Sequence, residues 1–256
     1  MAGRRDKRDR WASRAVQACF LIALALAWYL ATTRWAVSHL LLPNPLRVLQ
    51  QLGDILRTGE FVGDLKVTLG ELAVAFAISA TSGVTIGYVL SRSPYLIRVF
   101  EPLLAGVYAV PIILFLPLYV LFFGLGPASK IALGATISFF PIVLNTLAGF
   151  GHVERSYVIA ARSMGASDYH LFRYVLLPAA LPVILTGLRM GFTVALLSII
   201  GSETIASLAG LGHRIVNLAE NMEMPRMFAY IAFVVVIAVL LNMAVSALEA
   251  RYRRER

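Results

Sequence analysis

Long stretches without a single charged residue alternate with short polar segments, and that alternation predicts a set of membrane-crossing helices. Nineteen uncharged residues separate Arg14 from Arg34, twenty separate Glu71 from Arg92, and twenty-eight separate Glu101 from Lys130. Twenty-three more lie between Lys130 and Glu154, and twenty-two between Arg226 and Glu249. A crossing helix needs about 20 apolar residues, so each run is long enough. The stretch from Val175 to Ala206, interrupted only by Arg189 and by Glu203 near its end, supplies a sixth. The expected fold is all-α: a polytopic membrane protein with about six transmembrane helices. Residues 1–256 form one membrane domain, with a basic tail at 1–14, a core at 65–249 and a polar loop at 154–177.

Between the first two runs, Pro43-Asn44-Pro45 opens a segment in which Leu46, Val48, Leu49, Leu52, Ile55 and Leu56 recur at helical spacing. That pattern predicts a short amphipathic helix at the membrane interface, ended by Gly59. Gly83 and Gly87 in the second run, and Gly187 and Gly191 in the fifth, are four apart, a spacing that lets helices approach closely. Pro111, Pro117 and Pro141 sit inside the third and fourth runs and are expected to bend them. Gly124-Leu125-Gly126-Pro127 reads as a tight turn between those runs.

The polar loop is itself patterned. Val158 to Met164 form helix readily, Gly165 can stop that helix in the left-handed conformation, and Ser167 can cap a second one. Leu171, Phe172, Val175 and Leu176 share one face of the second helix, and Pro178 suits the first turn of the next span. A helix-turn-helix knob results, with one apolar and one basic side.

Composition strengthens the membrane reading: 59% of residues are hydrophobic and 14% charged, against about 25% charged in soluble domains. Lys and Arg placement sets the orientation. An inside N-terminus puts fifteen basic residues in the inner segments and seven in the outer ones. Both termini and the polar loop are then cytoplasmic. The net charge of +9 is explained by basic tails beside anionic lipid and calls for no nucleic acid. The first apolar run follows six basic residues but lacks a small-residue cleavage site, so it reads as a retained span rather than a signal peptide. Cys19, the single cysteine, is expected to be a buried apolar side chain, and the four histidines show no metal-ligand spacing.

Few side chains stand out chemically. Glu203, near the outer end of the fifth span, either lines a solute path or gate or has a structural role at the interface. Glu71 reads as an interfacial helix-start carboxylate, and Arg189 as a side chain that snorkels to the cytoplasmic surface or, as the alternative, contacts the solute. Ser138 and Asn145, seven apart on one face, either contact a passing solute or join helices. Phe139, Phe140, Met190 and Phe192 read as packing. No convergent catalytic or metal-binding groups appear, so no catalytic residue and no metal site is expected. A secondary transporter or channel is the main competing class, and it would place ionisable groups near the midplane.

The pattern Ala160-Ala161-x-x-x-Gly165, then nine intervening residues, then Val175-x-Leu177-Pro178, resembles the cytoplasmic loop motif of ABC importer permeases. Other segments agree in order and spacing with the nitrate/sulfonate/taurine branch. They are Pro111, Pro117 to Gly126, Ser129-Lys130, Phe139 to Thr146, Gly165-Ala166-Ser167, Pro178 to Pro182, Gly187-Leu188-Arg189, Glu203 and Gly210-Leu211-Gly212. The resemblance runs from about Leu42 to the C-terminus. It departs at Ile159, where the loop motif usually has Glu, and at Phe122, where the branch often has Trp.

The resemblance implies a type I importer permease of the bacterial cytoplasmic (inner) membrane, with a second permease chain, in a homodimer, completing the pathway. ABC ATPase subunits would grip the loop at Ala160, Ala161, Gly165, Ala166, Ser167 and Pro178, and an extracytoplasmic solute-binding protein would deliver the solute. Pro111, Ser138, Asn145 and Glu203 are the candidates for pathway or gate. The chain has no Gly-x-x-x-x-Gly-Lys-Ser/Thr loop, so it is expected to bind no cofactor and to leave ATP hydrolysis to its partner. Sulfonate, taurine or nitrate-like anions and pyrimidine-type vitamin precursors are the solute classes implied.

Overall fold

A computed structural model describes residues 16–33 except 18 and 21, and residues 42–254. The predicted basic tail at 1–14 lies outside the described residues. Every described element is helical: α1 (Ile22–Thr33), α2 (Pro45–Thr58), α3 (Phe61–Ser91), α4 (Pro94–Tyr108), α5 (Leu116–Phe123) and α6 (Pro127–Gly151) come first. Then follow α7 (Arg155–Ser163), α8 (Asp168–Leu171), α9 (Leu177–Ile205), α10 (Leu211–Glu220) and α11 (Met224–Arg254). The chain divides into two compact units, one of residues 1–61 with 215–233, the other of residues 62–214 with 234–256.

Four helices are long and apolar enough to cross a bilayer, and a fifth crossing is broken. Among the six predicted spans, the third is built differently from the sequence reading. The third run is no single helix: α4 and the segment Ile112–Phe123 meet at a 70° bend. Pro111 stands at the break, where its missing N–H and fixed φ favour ending one helix and starting another. In the first run the described residues between 16 and 33 are all helical, with α1 as the longest continuous stretch among them. Cys19 is exposed on the chain surface, not buried. Pro117 sits in the first turn of α5, where proline is tolerated, and Pro141 is accommodated inside an unbroken α6.

In the smaller unit, α2 is the predicted amphipathic helix. Asn44 caps it by accepting from the Leu46 N–H at 2.9 Å, and Gly59 closes it in the left-handed conformation. Trp28 packs near Phe228 and Phe61 near Phe233, while Arg226 is ion-paired with Glu60 and Glu223.

The core of the larger unit is α6, gripped on two sides. A Cβ built on Gly191 would lie 2.5 Å from the Ile142 side chain and 3.1 Å from the Ser138 carbonyl, and one on Gly187 2.5 Å from Asn145 Cβ. On the other flank, Gly83 and Gly87 press as closely on Ile142 and Thr146. The two small-residue pairs thus close adjoining faces of one helix, with Ile142 held between them, so that backbone meets side chain with no gap. In lipid, such van der Waals contact replaces the hydrophobic drive that holds soluble bundles together.

A second polar junction joins the α3 start, the α9 end and the α10 start. Three successive N–H groups, of Gly210, Leu211 and Gly212, donate to Asp64 Oδ1 (3.4 Å), Thr68 Oγ1 (3.0 Å) and Glu203 Oε2 (2.8 Å). The Thr68 hydroxyl in turn donates to Glu203 Oε1 at 2.7 Å. These are the orphan donors of a helix start, captured by side chains from two other helices, and the negative groups suit the positive end of α10. Behind them lie Glu71 and Lys130, within electrostatic reach of Glu203 and of each other. Glu71, 3% exposed, is therefore no interfacial carboxylate, and Lys130, 0% exposed, is no loop residue. Lys130 Nζ also donates to the Leu125 and Gly126 carbonyls, pinning the turn between α5 and α6.

Overpacking a filled seam costs about 1–3 kcal/mol, so Gly191→Val will lower the unfolding midpoint of the purified protein in detergent. Gly53→Ala, in α2 where an added Cβ meets nothing within 4 Å, will raise it by roughly 0.5–1 kcal/mol of stability. Equal midpoints for Gly191→Val and wild type would refute the seam. Glu203→Ala leaves a buried N–H unpaired at a cost of about 1–3 kcal/mol. Amide exchange at residues 210–212 should therefore quicken about tenfold in that variant, and less in Glu203→Gln, which keeps one acceptor.

Candidate functional site

The polar loop folds into a knob whose two limbs differ. Helix α7 ends in a paired closure: Gly165 N–H donates to the Arg162 carbonyl at 3.0 Å and Ala166 N–H to the Ala161 carbonyl at 3.0 Å. This six-to-one and five-to-two pattern requires a left-handed residue, and Gly165 supplies it at φ 82°. It also explains the spacing: Ala161 and Ala166 are the positions that the motif brings together across the turn. Ser167 then caps α8 by accepting from the His170 N–H at 3.4 Å, and its hydroxyl lies 2.6 Å from His170 Nδ1. Arg162 is ion-paired with Asp168 across the turn, a pair exposed enough to add little stability.

The second limb differs from the two-helix prediction. Helix α8 is a single turn that runs through a π-helical turn, Phe172–Leu176, into α9 without a break. Pro178 falls in the first turn of α9. The predicted apolar face does point inward. Leu171 is buried, and Phe172 stacks with Tyr88 and Phe150 at centroid distances of 4.9 and 6.2 Å. The knob thus sits on α3 and α6 through an aromatic triad.

The other face is unpartnered within the chain. Met164 at the tip is 88% exposed, and Tyr157, Ile159, Tyr169 and Tyr174 are exposed with it. Ile159 occupies the usual glutamate position and adds to this apolar surface. Large exposed apolar side chains on an ordered projection mark an interaction surface.

The four pathway candidates fall in different places. Pro111 is exposed at the break in the third crossing. Ser138 is wholly buried and donates to the Gly134 carbonyl of its own helix at 2.7 Å. Asn145 donates to the Pro141 carbonyl at 2.7 Å and reaches Met190 Sδ at 3.9 Å, so it borders an open face of α9. Glu203 is buried in the α10 junction. No group of three or more metal-ligating residues occurs among the described residues.

Arg189 is placed differently from the sequence reading. Its Nε lies 3.3 Å from Glu249 Oε2, so it pairs with α11 in place of snorkelling to the surface. No sequence spacing links residues sixty positions apart on different helices. The hint was Glu249 itself, the carboxylate that ends the last apolar run.

Comparison with known proteins matches this architecture. The family described as "Binding-protein-dependent transport system inner membrane component" matches residues 72–254. The chain is 33% identical over 236 residues to the taurine transport system permease protein TauC of Escherichia coli K12, covering 90% of this chain and 86% of that one. It is 29% identical over 245 residues to the putative aliphatic sulfonates transport permease protein SsuC of Bacillus subtilis, covering 96% and 88%. With the formylaminopyrimidine transport permease protein ThiX of Halalkalibacterium halodurans it shares 29% over 230 residues, covering 90% and 91%. Among solved structures, the inward-facing MetNI methionine ABC transporter superposes with a TM-score of 0.64 at 18% identity, over 78% of this chain and 97% of that one. An amino acid ABC transporter gives 0.63 at 22% identity, over 80% and 98%. Fold, sequence and near-complete coverage converge: the chain belongs to the binding-protein-dependent inner-membrane transport family and is the permease subunit of an ABC importer.

Proposed function

We propose that this permease imports a small organic anion of the sulfonate type, driven by a separate ATPase that seats on the α7–α8 knob. The exposed apolar tip around Met164, on a turn locked by Gly165, is the observation that carries the reading. An ATPase cleft that receives this tip would bury Met164, Ile159 and Tyr157, and the apolar Ile159 implies a contact made by packing where a glutamate would make an ion pair. The absence of a phosphate-binding loop supports placing ATP hydrolysis on the partner. Taurine and sulfonate permeases among the relatives support the solute class. An extracytoplasmic binding protein hands over the solute, and a second copy of the chain completes the path. The charge distribution supports cytoplasmic termini.

The family assignment sets aside a secondary transporter or channel. Gly165→Val forces a β-branched residue into the left-handed region, at a cost of about 1–3 kcal/mol, and misdirects the tip. Met164→Asp leaves the turn intact and puts a charge on it. In both variants ATPase co-purification with the permease should fall about tenfold, with taurine uptake into proteoliposomes falling in step. Undiminished ATPase yield in both would sink the docking claim.

A further inference from the structure

The larger unit carries a polar groove that neither the knob nor the buried junction uses. It lies between α9 and α11, holds about 420 Å³, and is lined by Arg189, Met190, Thr193, Val194, Asn242 and Ser246. Its height follows from the seam. Gly191 packs against the Ser138 carbonyl at the middle of α6, so Arg189 lies within a turn of that middle. Thr193 and Asn242 join the two helices at 2.6 Å. A guanidinium, an amide and two hydroxyls on the open side of two spans are costly against acyl chains. Intramembrane polar groups of this kind face water-filled cavities or protein.

The orientation of the guanidinium decides what the groove can take. Glu249, nearly buried, accepts from Arg189 through Oε2 and lies 3.4 Å from the Thr186 hydroxyl through Oε1. The ion pair with Glu249 is closest at Arg189 Nε, on the stem side of the guanidinium, and the side chain, 42% exposed, lines the groove. A guanidinium anchored on its stem side in an open groove fits a planar or tetrahedral oxyanion bidentately. Glu249 offsets most of the positive charge, so an anion is held by directed donors and not by an unopposed cation. That suits a path, where binding must be strong enough to admit a solute and weak enough to release it.

We propose that Arg189 is an anion-binding residue of the translocation path: its guanidinium, in the groove that Ser246 also lines, receives the sulfonate or carboxylate group of the passing solute. The proposal rests on the reading of this chain as a permease for a small organic anion.

The complete transporter in phosphatidylcholine vesicles, with Cys19→Ala, tests it through Ser246→Cys. Thr193→Cys serves as a second reporter should the first disturb folding. Each is treated with the anionic sulfonatoethyl methanethiosulfonate and with its cationic trimethylammonium counterpart. Both reagents should react, and Arg189→Gln should lower the anionic-to-cationic rate ratio about tenfold, with Arg189→Lys intermediate. Ethanesulfonate should slow the anionic reagent with Arg189 present and not with Arg189→Gln. Failure of both reporters to react with either reagent, or a ratio and protection unchanged in Arg189→Gln, would overturn the proposal. Cross-linking of two copies through these cysteines would instead make the groove an interface. Taurine uptake in the same vesicles separates the two claims. Absent uptake with a falling ratio removes the solute class and keeps the anion site, whereas uptake with an unchanged ratio removes the site.

Discussion

The approach of glycine faces to α6 is the constraint on which the larger unit depends. With Gly187 and Gly191 on one flank and Gly83 and Gly87 on the other, α6 is filled on both sides and has no freedom to rotate. Ser138 is consequently turned into its own helix, and Asn145 is left at the rim where α9 opens toward α11. The polar groove exists because the tight contact fixes which residues of α9 face away from α6. Larger side chains along this seam would push the two helices apart and change that face.

At the opposite end of α9 the organisation is polar and as tightly specified. Asp64, Thr68 and Glu203 act together as a cap for α10, contributed from distant parts of the chain. A membrane protein cannot leave helix-start N–H groups bare where water is scarce. Burying Glu203 there is tolerable because it faces the Gly212 N–H and the Thr68 hydroxyl; Lys130 satisfies two turn carbonyls, and Glu71 lies within its electrostatic reach. Glu203 is thus held at the start of α10 by its hydrogen bonds.

The knob and most of the span pattern were legible in the sequence because they are local. A glycine stop, a serine cap and a proline in the first turn each act within four residues, and the structure realises all three. Glu71, Lys130 and Arg189 were misread for the opposite reason. A charge in an apolar run reads as a boundary or a snorkelling side chain unless its partner is known, and these partners come from other helices. The broken third crossing was half legible: Pro111 and Pro117 announced a bend, but run length alone could not show a 70° turn. The π-helical turn left no periodic signal, since the apolar residues at 171, 172, 175 and 176 fit an α-helical face equally well.

That turn has a mechanical consequence. On the α6 side the knob is attached through a non-helical step at 152–154, whereas on the α9 side helix continues from Asp168 to Ile205. The knob is therefore hinged to one span and welded to the other, so force applied at Met164 goes into α9. A rod of that length, roughly 55 Å at 1.5 Å per residue, turns a few degrees of tilt into several ångströms at its far end. Arg189 lies partway along this continuous helix and Glu203 near its far end, so any tilt of the helix would be shared by the groove and the α10 cap.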